Sequence, residues 1–438
     1  MANSNFKVIV IGGGPVGLVA AHALYKAGID FVVLERRENV VLDLGAALVL
    51  APQNMRVMHQ LGLYDRLMEI GSELLHTKGF LVNGYEFKKG TELQLVKENH
   101  GVGLVAFHRA HLVEVLYEGL PAEAKARYFL DKRVINIGTD DEGVRVQCDD
   151  GSSYEGSVVL GADGVHSVTR NIMRDLALSE DPKRDWDPER PFKSEYRCLW
   201  ASFPRPSAPG ENFETTSQDL AAMYLTGRDR GWILLYDKPD EPTTDLRSYS
   251  DEDISEFIGK IGHFPVTETL TINDVFERRL TCGMSDLGEG IVNHWSWGRI
   301  VLAGDACHKF TPNAGLGLNN GIQDIVVLCN GLHHAVATAT SGQPDINALE
   351  SVFDRYHKDR TEGVEKDFKQ SALVTRLQTW ASGLYYFLSR FVLSNAFVAR
   401  FIARFITSPN IRQAKVLDFA KTTELPFGRV SWQYPISQ

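Results

Sequence analysis

The stretch FKVIVIGGGPVGLVAAHALYKAGIDFVVLERR, residues 6–37, has the pattern of a strand, a glycine turn, a helix and a second strand. Gly12, Gly14 and Gly17 occupy GxGxxG positions at the turn, and Glu35 ends the second strand. In such a βαβ unit the first glycine makes the turn, the second admits a pyrophosphate to the helix N-terminus, and the third allows close helix–strand packing. The terminal acid accepts hydrogen bonds from a ribose, so the sequence predicts a dinucleotide-binding domain.

Two later apolar strands also end in glycine-rich loops. SVVLGADGVHSVTRNIM, residues 157–173, contains Asp163, and GRIVLAGDACHKFTPNAGLGLNNGIQD, residues 298–324, contains Asp305. An aspartate at the end of a buried strand is costly unless it binds a partner. Because the carboxyl ends of strands meet at the crevice of a doubly wound sheet, we expect all three loops to line one extended ligand.

Composition narrows the class of protein. A chain of 438 residues suits two or three subdomains, and 44% hydrophobic with 23% charged residues is typical of a globular protein. The net charge of −10 argues against a nucleic-acid partner. The five cysteines are scattered without a CxxC pair, and the first strand begins too early for a signal peptide. These features predict a cytoplasmic protein without a disulfide framework or a metal site.

The ordered triplet of GxGxxG, GADGVHS and GDACHKFTPNAGLGLNNGIQD resembles the flavin-dependent aromatic hydroxylases, the class A monooxygenases similar to p-hydroxybenzoate hydroxylase, over residues 5–365. Three further stretches resemble the fungal subgroup that acts on prenylated indoles, indole diterpenes and meroterpenoids. They are GAALVLAPQNMRVMHQLGLYD (45–65), FHRAHLVEVLYEGLP (107–121) and NHWSWGRIVLAGDACHKFTPN (293–313).

The resemblance implies an α/β fold with a GxGxxG-type, glutathione-reductase-like FAD-binding domain, a mostly antiparallel substrate sheet and a C-terminal helical segment. The expected boundaries are 1–78, 105–180 and 281–365 for the FAD-binding domain, 79–104 and 181–280 for the substrate domain, and 366–438 for the C-terminal region. Within 183–280, the runs SEYRCLWASF, LAAMYLTG and GWILLYDK, separated by turn residues, predict strands of that sheet.

The resemblance also implies a set of FAD contacts. Glu35 would bind the adenosine ribose, Arg109 the ribityl-phosphate region and Asp305 the ribityl chain, while Asp163 would serve both FAD and nicotinamide. Residues placed along the flavin ring are Gly45, Ala46, Pro312, Gly315, Gly317, Leu318 and Asn319. Backbone N–H groups of a glycine loop at a helix N-terminus stabilise negative charge on a reduced flavin. No Cys or His occupies a linkage motif, so we expect non-covalent FAD.

Candidate substrate residues lie in the predicted antiparallel sheet. Tyr196, Tyr224 and Tyr236 are candidates to line the pocket, although strand alternation predicts that about half of such residues face away. Arg197 is a candidate proton donor to a leaving oxygen, and Asp43 a candidate to orient substrate beside the flavin. The alternative for each of these residues is a structural or surface role.

The expected activity is an FAD-dependent monooxygenase that uses NAD(P)H and O2. Through a flavin C4a-hydroperoxide it would hydroxylate or epoxidise a lipophilic, electron-rich substrate, with NAD(P)H bound only transiently. Two other classes stay open: a flavin-dependent dehydrogenase or reductase of a prenyl or aromatic substrate, and a non-catalytic flavin-binding regulator.

The C-terminal stretch LVTRLQTWASGLYYFLSRFVLSNAFVARFIARFI, residues 373–406, has a helical pattern in which arginines lie opposite an apolar surface. Its longest uncharged run, 377–389, is too short to cross a bilayer. Two interpretations stay open: helices packed on the flavin domain, or helices in peripheral contact with a membrane in which lipophilic substrate dissolves.

Overall fold

The computed structural model describes residues 6–43, 47–245, 247–340, 342–426 and 428–438. In chain order the strands are β1 Lys7–Ile11, β2 Asp30–Leu34, β3 Ala47–Leu50, β4 Ser72–Leu74, β5 His76–Leu81, β6 Glu86–Gly90, β7 Leu104–His108, β8 Tyr128–Phe129, β9 Val134–Thr139, β10 Val144–Cys148, β11 Ser153–Gly156, β12 Val158–Gly161, β13 Lys193–Pro204, β14 Glu211–Thr216, β15 Leu220–Thr226, β16 Arg230–Asp237, β17 Thr281–Ile291, β18 Ser296–Trp297, β19 Ile300–Leu302 and β20 His308–Lys309. The helices are α1 Pro15–Lys26, α2 Pro52–Gln60, α3 Tyr64–Ile70, α4 Glu92–His100, α5 Arg109–Glu118, α6 Ala122–Lys125, α7 Val168–Glu180, α8 Asp251–Ile261, α9 Ile272–Phe276, α10 Leu316–Thr338, α11 Ile346–Gln378, α12 Gly383–Phe387, α13 Ala396–Ile402 and α14 Ser408–Arg412.

The first sheet has the strand order β18-β19-β12-β1-β2-β8, and its pairings are parallel from β19 to β8. β1, β12 and β19 are the three strands whose glycine loops the sequence singles out, and they lie side by side with every residue of β12 and β19 buried. The carboxyl ends of these strands therefore bring the three loops to one crevice, as predicted.

The second large sheet has the order β20-β17-β13-β16-β15-β14-β5-β6 and is antiparallel except for the pair β14–β5. β13, β15 and β16 correspond to the three predicted strands. α8 and α9 pack on one face through Phe257, Ile261 and Val275. β3, β4 and β7, which form a small sheet of their own, cover part of the other face. We call the face toward β3 and β7 the inner face and the face toward α8 and α9 the outer face.

Two elements adjoin or cross the predicted domain boundaries, and the C-terminal region is helical only in part. β17, expected to open the last part of the FAD-binding domain, pairs along β13 from Ser202↔Thr281 to Lys193↔Glu289 and belongs to the substrate sheet. α11 runs without a break across the boundary at 365/366, because its periodic pattern continues to Gln378. The region 366–438 is helical only as far as Arg412, and the described residues beyond that helix are irregular and pack on the flavin-binding side.

Ion pairing and hydrogen bonds fasten this tail. The buried Arg56 of α2 donates to both carboxylate oxygens of Glu424 and stacks 4.1 Å from the ring centroid of Trp432. The side-chain amide of Gln60 donates to the carbonyl oxygens of Leu417 and Ala420. Pairing in a buried setting makes the loss of either charge costly, so the tail is fixed against α2.

No single helix in the described ranges is long and apolar enough to cross a bilayer. The segments Gly383–Val392 and Ala396–Arg412 satisfy that criterion only when taken together, and they are bent by 99° relative to each other.

Candidate active site

The glycine turn after β1 has the geometry that the GxGxxG pattern predicts. Gly12 has a φ of +104°, and a Cβ placed on Gly17 would lie 1.9 Å from the carbonyl oxygen of Gly12. A Cβ placed on Gly14 meets nothing within 4 Å, so open space faces the N-terminus of α1. Glu35 accepts backbone hydrogen bonds from Gly13 at 2.8 Å and from Arg37 at 2.9 Å, which fixes its carboxylate beside the turn.

Charged groups of opposite sign lie at the same crevice. Burial lowers the pKa of Arg109, the charge of Arg37 lowers it further, and the nearby Asp305 opposes both. Within the part of the chain that the structure describes, the guanidinium of Arg109 forms no hydrogen bond or ion pair. Asp305 is half-exposed and pairs with Lys309 at 2.8 Å. The crevice therefore offers a largely desolvated cation for a phosphate and a carboxylate for hydroxyl groups.

The glycine loop after β20 ends at the start of α10. Gly315, with a φ of +64°, is the N-cap, so the first N–H groups of α10, around Gly317 and Leu318, are free of helical partners. Pro312 opens the short 3-10 turn that precedes this cap. The side-chain amide of Asn319 donates to the carbonyl oxygens of Val49 and Gly315, and its oxygen accepts from the backbone of Ala51 and the amide of Asn54. Asn319 thus holds the loop against β3 rather than offering its amide to a ligand.

Asp163 is also used within the protein. Its carboxylate accepts from the hydroxyl of Ser167 at 2.6 Å and from the backbone and hydroxyl of Thr169, so it fixes the start of α7. Arg170, one turn further on, is buried and donates to the carbonyl oxygens of Val165 and Ala306. Sequence reasoning missed Arg170, which joins the second loop to the third. The one available signal was that Arg170 lies three residues after Ser167, in the first turn of the helix that follows the second loop.

Asp324 is a buried carboxylate beneath the third loop. It accepts from the backbone N–H of Gly304 at 2.9 Å, from Nε2 of His308 at 2.7 Å and from Nε of Arg360 at 2.7 Å. Burial would raise its pKa, but His308 and Arg360 outweigh burial and lower it. With Cys307 and His308 it forms a group of potential metal ligands within 4.8 Å of one another. Because a guanidinium already occupies one carboxylate oxygen, the group serves as an internal ion-pair network.

The substrate sheet divides the four candidates on its strands between its two faces. Tyr196 and Tyr236 are buried on the inner face, where the Tyr196 hydroxyl lies 3.2 Å from Oγ1 of Thr379. Tyr224 is on the outer face, packed against Phe203 and Phe213, where burial raises its pKa to about 12. Tyr224 therefore does not share a face with Tyr196 and Tyr236, because its strand position places it on the other side of the sheet.

Arg197 also lies on the outer face. Its guanidinium forms two hydrogen bonds with Asp237 and lies 5.8 Å from the ring centroid of Phe257 in α8. The neighbouring Tyr196 takes the inner position, since adjacent residues of a strand point to opposite faces. Of the two roles left open for Arg197, the structural one fits this position, because its guanidinium pairs with Asp237 on the outer face.

Asp43 lies at the inner end of the sheet and is held by two groups. Nη2 of Arg230 donates to it at 2.9 Å, and Nε2 of His108 lies 2.8 Å away. Burial would raise the pKa of Asp43, but the hydrogen bond from Arg230 and the neighbouring His108 outweigh it and lower the pKa. Asp43 thus anchors the segment that leads toward Gly45 and Ala46, both of which lie outside the described residues. Its role toward substrate stays a prediction.

The last turns of α11 form a wall between the glycine loop and the inner face of the substrate sheet, and the sequence did not predict this wall. Thr375 bonds to the side chains of Thr311 and Asn313, next to the glycine loop. Gln378 joins Asn313 to Glu214 of the substrate sheet. The helix end therefore spans from the loop to the inner face. This arrangement arises only from tertiary packing, so it could not be predicted from the residue types of α11.

A separate cavity of about 1060 Å³ lies at the other end of α10, lined by residues such as His334, Tyr356 and Tyr434. The residues of the crevice do not line it.

Comparison with known proteins identifies this arrangement. A family model described as an FAD binding domain matches residues 5–178 and 280–371. The chain is 33% identical over 399 residues to the FAD-dependent monooxygenase DEP2 of Alternaria brassicicola, covering 89% of this chain and 75% of that protein. It is 32% identical over 435 residues to the FAD-dependent monooxygenase penE of Penicillium thymicola, covering 96% and 88%.

Solved structures share the fold. The p-nitrophenol 4-monooxygenase PnpA from Pseudomonas putida DLL-E4 superposes with a TM-score of 0.73 at 20% identity, covering 92% of this chain and 99% of that one. HpxO from Klebsiella pneumoniae, solved with FAD and uric acid, superposes with a TM-score of 0.71 at 21% identity, covering 92% of this chain and 97% of that one. The chain belongs to the FAD-dependent monooxygenases that share this FAD binding domain. The predicted fold class, family, enzyme class and FAD cofactor are confirmed.

The crevice fits FAD by its own geometry. The open space at Gly14 admits a pyrophosphate to the N-terminus of α1, and Glu35 lies beside it for the ribose. Arg109, a desolvated cation, suits a phosphate oxygen, and Asp305 suits ribityl hydroxyls. The N-terminus of α10 has N–H groups free of helical partners, which would suit the flavin ring.

The open space at Gly14 leads to a direct test. Gly14 has a φ of −70°, which alanine adopts without strain, so Gly14→Ala folds normally, but its methyl group occupies the pyrophosphate path. We expect FAD affinity to fall by more than about tenfold, measured as flavin retained per protein and by fluorescence titration. Gly259 of α8 also has free space for a Cβ, so Gly259→Ala is the matched control and keeps full flavin content. Equal flavin content in both variants would contradict the assignment.

Asp305 provides a second test. Charge-assisted hydrogen bonds to ribityl hydroxyls contribute on the order of 1.5–3 kcal/mol. Asp305→Ala therefore weakens FAD binding by roughly tenfold to a hundredfold, measured by titration of the apoprotein. Lys309→Met removes the ion-pair partner but leaves the carboxylate, and so separates loss of the pair from loss of the FAD contact. Unchanged FAD affinity in Asp305→Ala would remove this residue from the site.

Proposed function

We propose that this protein uses NAD(P)H and O2 to transfer one oxygen atom to a lipophilic, electron-rich natural product, by hydroxylation or epoxidation, in fungal secondary metabolism. The substrate class is a prenylated indole, an indole diterpene or a meroterpenoid. The observation that carries the proposal is an aromatic and aliphatic sheet face opposite the glycine loop. Its buried members include Tyr196, Met223, Trp232 and Leu234.

The contacts around this face support an apolar substrate. Ala47 and Val49 of β3 pack against it, and Val49 also lies beside Gly315 of the glycine loop. The loop and the face are therefore separated by a thin apolar layer near β3 and by the wall of α11. Such surroundings bind apolar groups by excluding water, and they also protect reactive species from side reactions.

Bound FAD supplies the chemistry of O2 activation, and the residues of the chain supply its setting. The N-terminus of α10 and the cation of Arg109 favour negative charge at the crevice. The inner face positions the electron-rich carbon and excludes water. Asp43 and its partners Arg230 and His108 hold the sheet end against the segment beside the crevice.

The proposal is tested by isotope labelling. Purified holoprotein with NADPH is incubated under ¹⁸O2 with a panel of prenylated indoles and meroterpenoid precursors, and products are analysed by mass spectrometry. We expect a product that contains one ¹⁸O atom, and no label when the ¹⁸O is supplied in water. An unlabelled product that has lost or gained two hydrogens would instead identify a flavin-dependent dehydrogenase or reductase. Unaltered substrates and an inert flavin would favour a binding protein.

Neighbouring residues on opposite faces sharpen this test. Tyr196→Leu reshapes the inner face, so we expect less product per NADPH consumed and more hydrogen peroxide, because a misplaced substrate uncouples the reaction. Arg197→Ala alters only the outer face and is expected to keep the coupling ratio of the wild type. The ratio does not depend on the fraction of folded protein. A coupling loss in Arg197→Ala alone would reverse the assignment of the faces.

A further inference from the structure

The C-terminal helices expose large apolar side chains to solvent. We call them the aromatic face; its members are exposed by 40% to 78% and are Leu384, Tyr386, Phe387, Phe391, Phe397, Phe401, Phe405 and Ile406. Phe387 and Phe391 pack with ring centroids 5.6 Å apart, and Phe401 and Phe405 at 4.8 Å. Exposed apolar residues at this density are unusual for a protein surface and indicate a binding partner.

The charge pattern identifies the chemistry of that partner. The chain has a net charge of −10, yet residues 368–417 contain no Asp or Glu and seven Lys or Arg. Arg400 and Arg404 are exposed on the aromatic face, and the Arg404 guanidinium lies 5.5 Å from the ring centroid of Phe405. A helical surface that combines exposed aromatic residues with arginines, and lacks acids, matches an anionic lipid surface.

The shape of the segment favours lying on a bilayer. The two halves of the face, Gly383–Val392 and Ala396–Arg412, are bent by 99°. Arg390 lies 5.3 Å from the ring centroids of both Tyr85 and Phe87 in the β5–β6 hairpin, and Tyr85 is itself 56% exposed. The hairpin therefore extends the face to the edge of the substrate sheet.

The aromatic face also adjoins the inner face of the substrate sheet. The ring of Tyr386 packs edge-on against Trp380 at 4.8 Å, and the preceding Thr379 contacts the hydroxyl of Tyr196 on the inner face. Trp380 has a φ of +42° and a buried indole N–H without a partner among the described residues. Residues 379–386 thus connect the aromatic face to the inner face of the substrate sheet.

We propose that the aromatic face binds the surface of an anionic phospholipid bilayer, with its Phe side chains among the acyl chains and Arg400 and Arg404 at the lipid phosphates. A bilayer at this position would also let a lipophilic substrate enter from the membrane. That consequence rests on the proposed function, whereas lipid binding does not.

The test measures binding of the full-length holoprotein to vesicles by flotation, without substrate. We expect binding to vesicles of phosphatidylcholine with phosphatidylserine and weaker binding to phosphatidylcholine alone. At high ionic strength, binding to the anionic vesicles should fall toward that on phosphatidylcholine alone. Phe397→Ser/Phe401→Ser/Phe405→Ser should lower binding by more than about tenfold. Arg400→Gln/Arg404→Gln should lower it by roughly tenfold to thirtyfold on anionic vesicles, with little change on neutral ones.

Matched controls use exposed residues elsewhere on the surface. Ile135→Ser/Leu280→Ser removes apolar side chains of similar exposure, and Arg133→Gln/Arg145→Gln removes two exposed arginines. Both are expected to bind vesicles as the wild type does. Flavin content is measured in every sample, so a protein that lacks FAD but binds vesicles overturns the proposed function and not this inference.

Three outcomes would overturn the inference. One is absence of vesicle binding by the wild type. Another is binding that does not depend on anionic lipid or on the aromatic face. The third is a lipid-free dimer, detected by sedimentation velocity, that the triple Phe variant abolishes, since the face would then be an interface between two copies of the chain.

Discussion

The buried carboxylate of Asp324 is the contact on which the arrangement of the site depends. It joins the strand-end loop at Gly304, the following His308 and the guanidinium of Arg360 in α11. A buried carboxylate that lost these partners would carry a large desolvation cost, so the three elements are held to one geometry. Asp305, next to Gly304, is consequently presented at the crevice, and the N-terminus of α10 is set at a fixed distance from it.

A second constraint comes from the side-chain amides of the third loop. Asn319 saturates its hydrogen-bonding capacity on β3, α2 and the loop itself. Asn320 similarly donates to Asp367 of α11 and accepts from Arg360. These side chains remain internal, which leaves the backbone N–H groups of the loop as the groups available to a flavin. Glycine at positions 315 and 317 keeps that backbone accessible. The asparagines therefore hold the loop in place, and the glycines leave its N–H groups exposed to a ligand.

The sequence predicted features whose chemistry is local. The turn at Gly12, Gly14 and Gly17, the order of the three motifs and the antiparallel sheet follow from spacing and alternation. The face that each sheet residue occupies could not be predicted, because helices or strands cover both faces and both are apolar. Leu199 lies on the outer face and Cys198 on the inner face, although both side chains are apolar and neither residue type favours one face. Arg197 therefore suggested a pocket cation, although its partner is Asp237 and its neighbours are outer aromatic rings.

Residues whose role depends on distant partners were beyond sequence reasoning for the same reason. Arg170 donates to the carbonyl oxygen of Ala306, which lies 136 positions away in the sequence, and Gln378 donates to Glu214, which lies 164 positions away. α11 concentrates such contacts: Arg360 binds Asp324, and eighteen residues later, about 27 Å along the helix, Gln378 contacts the substrate sheet. One helix thus connects the ion-pair network beneath the flavin loop to the inner sheet face. The distance between loop and sheet is set by α11 as much as by the sheet itself, because the helix contacts both of them.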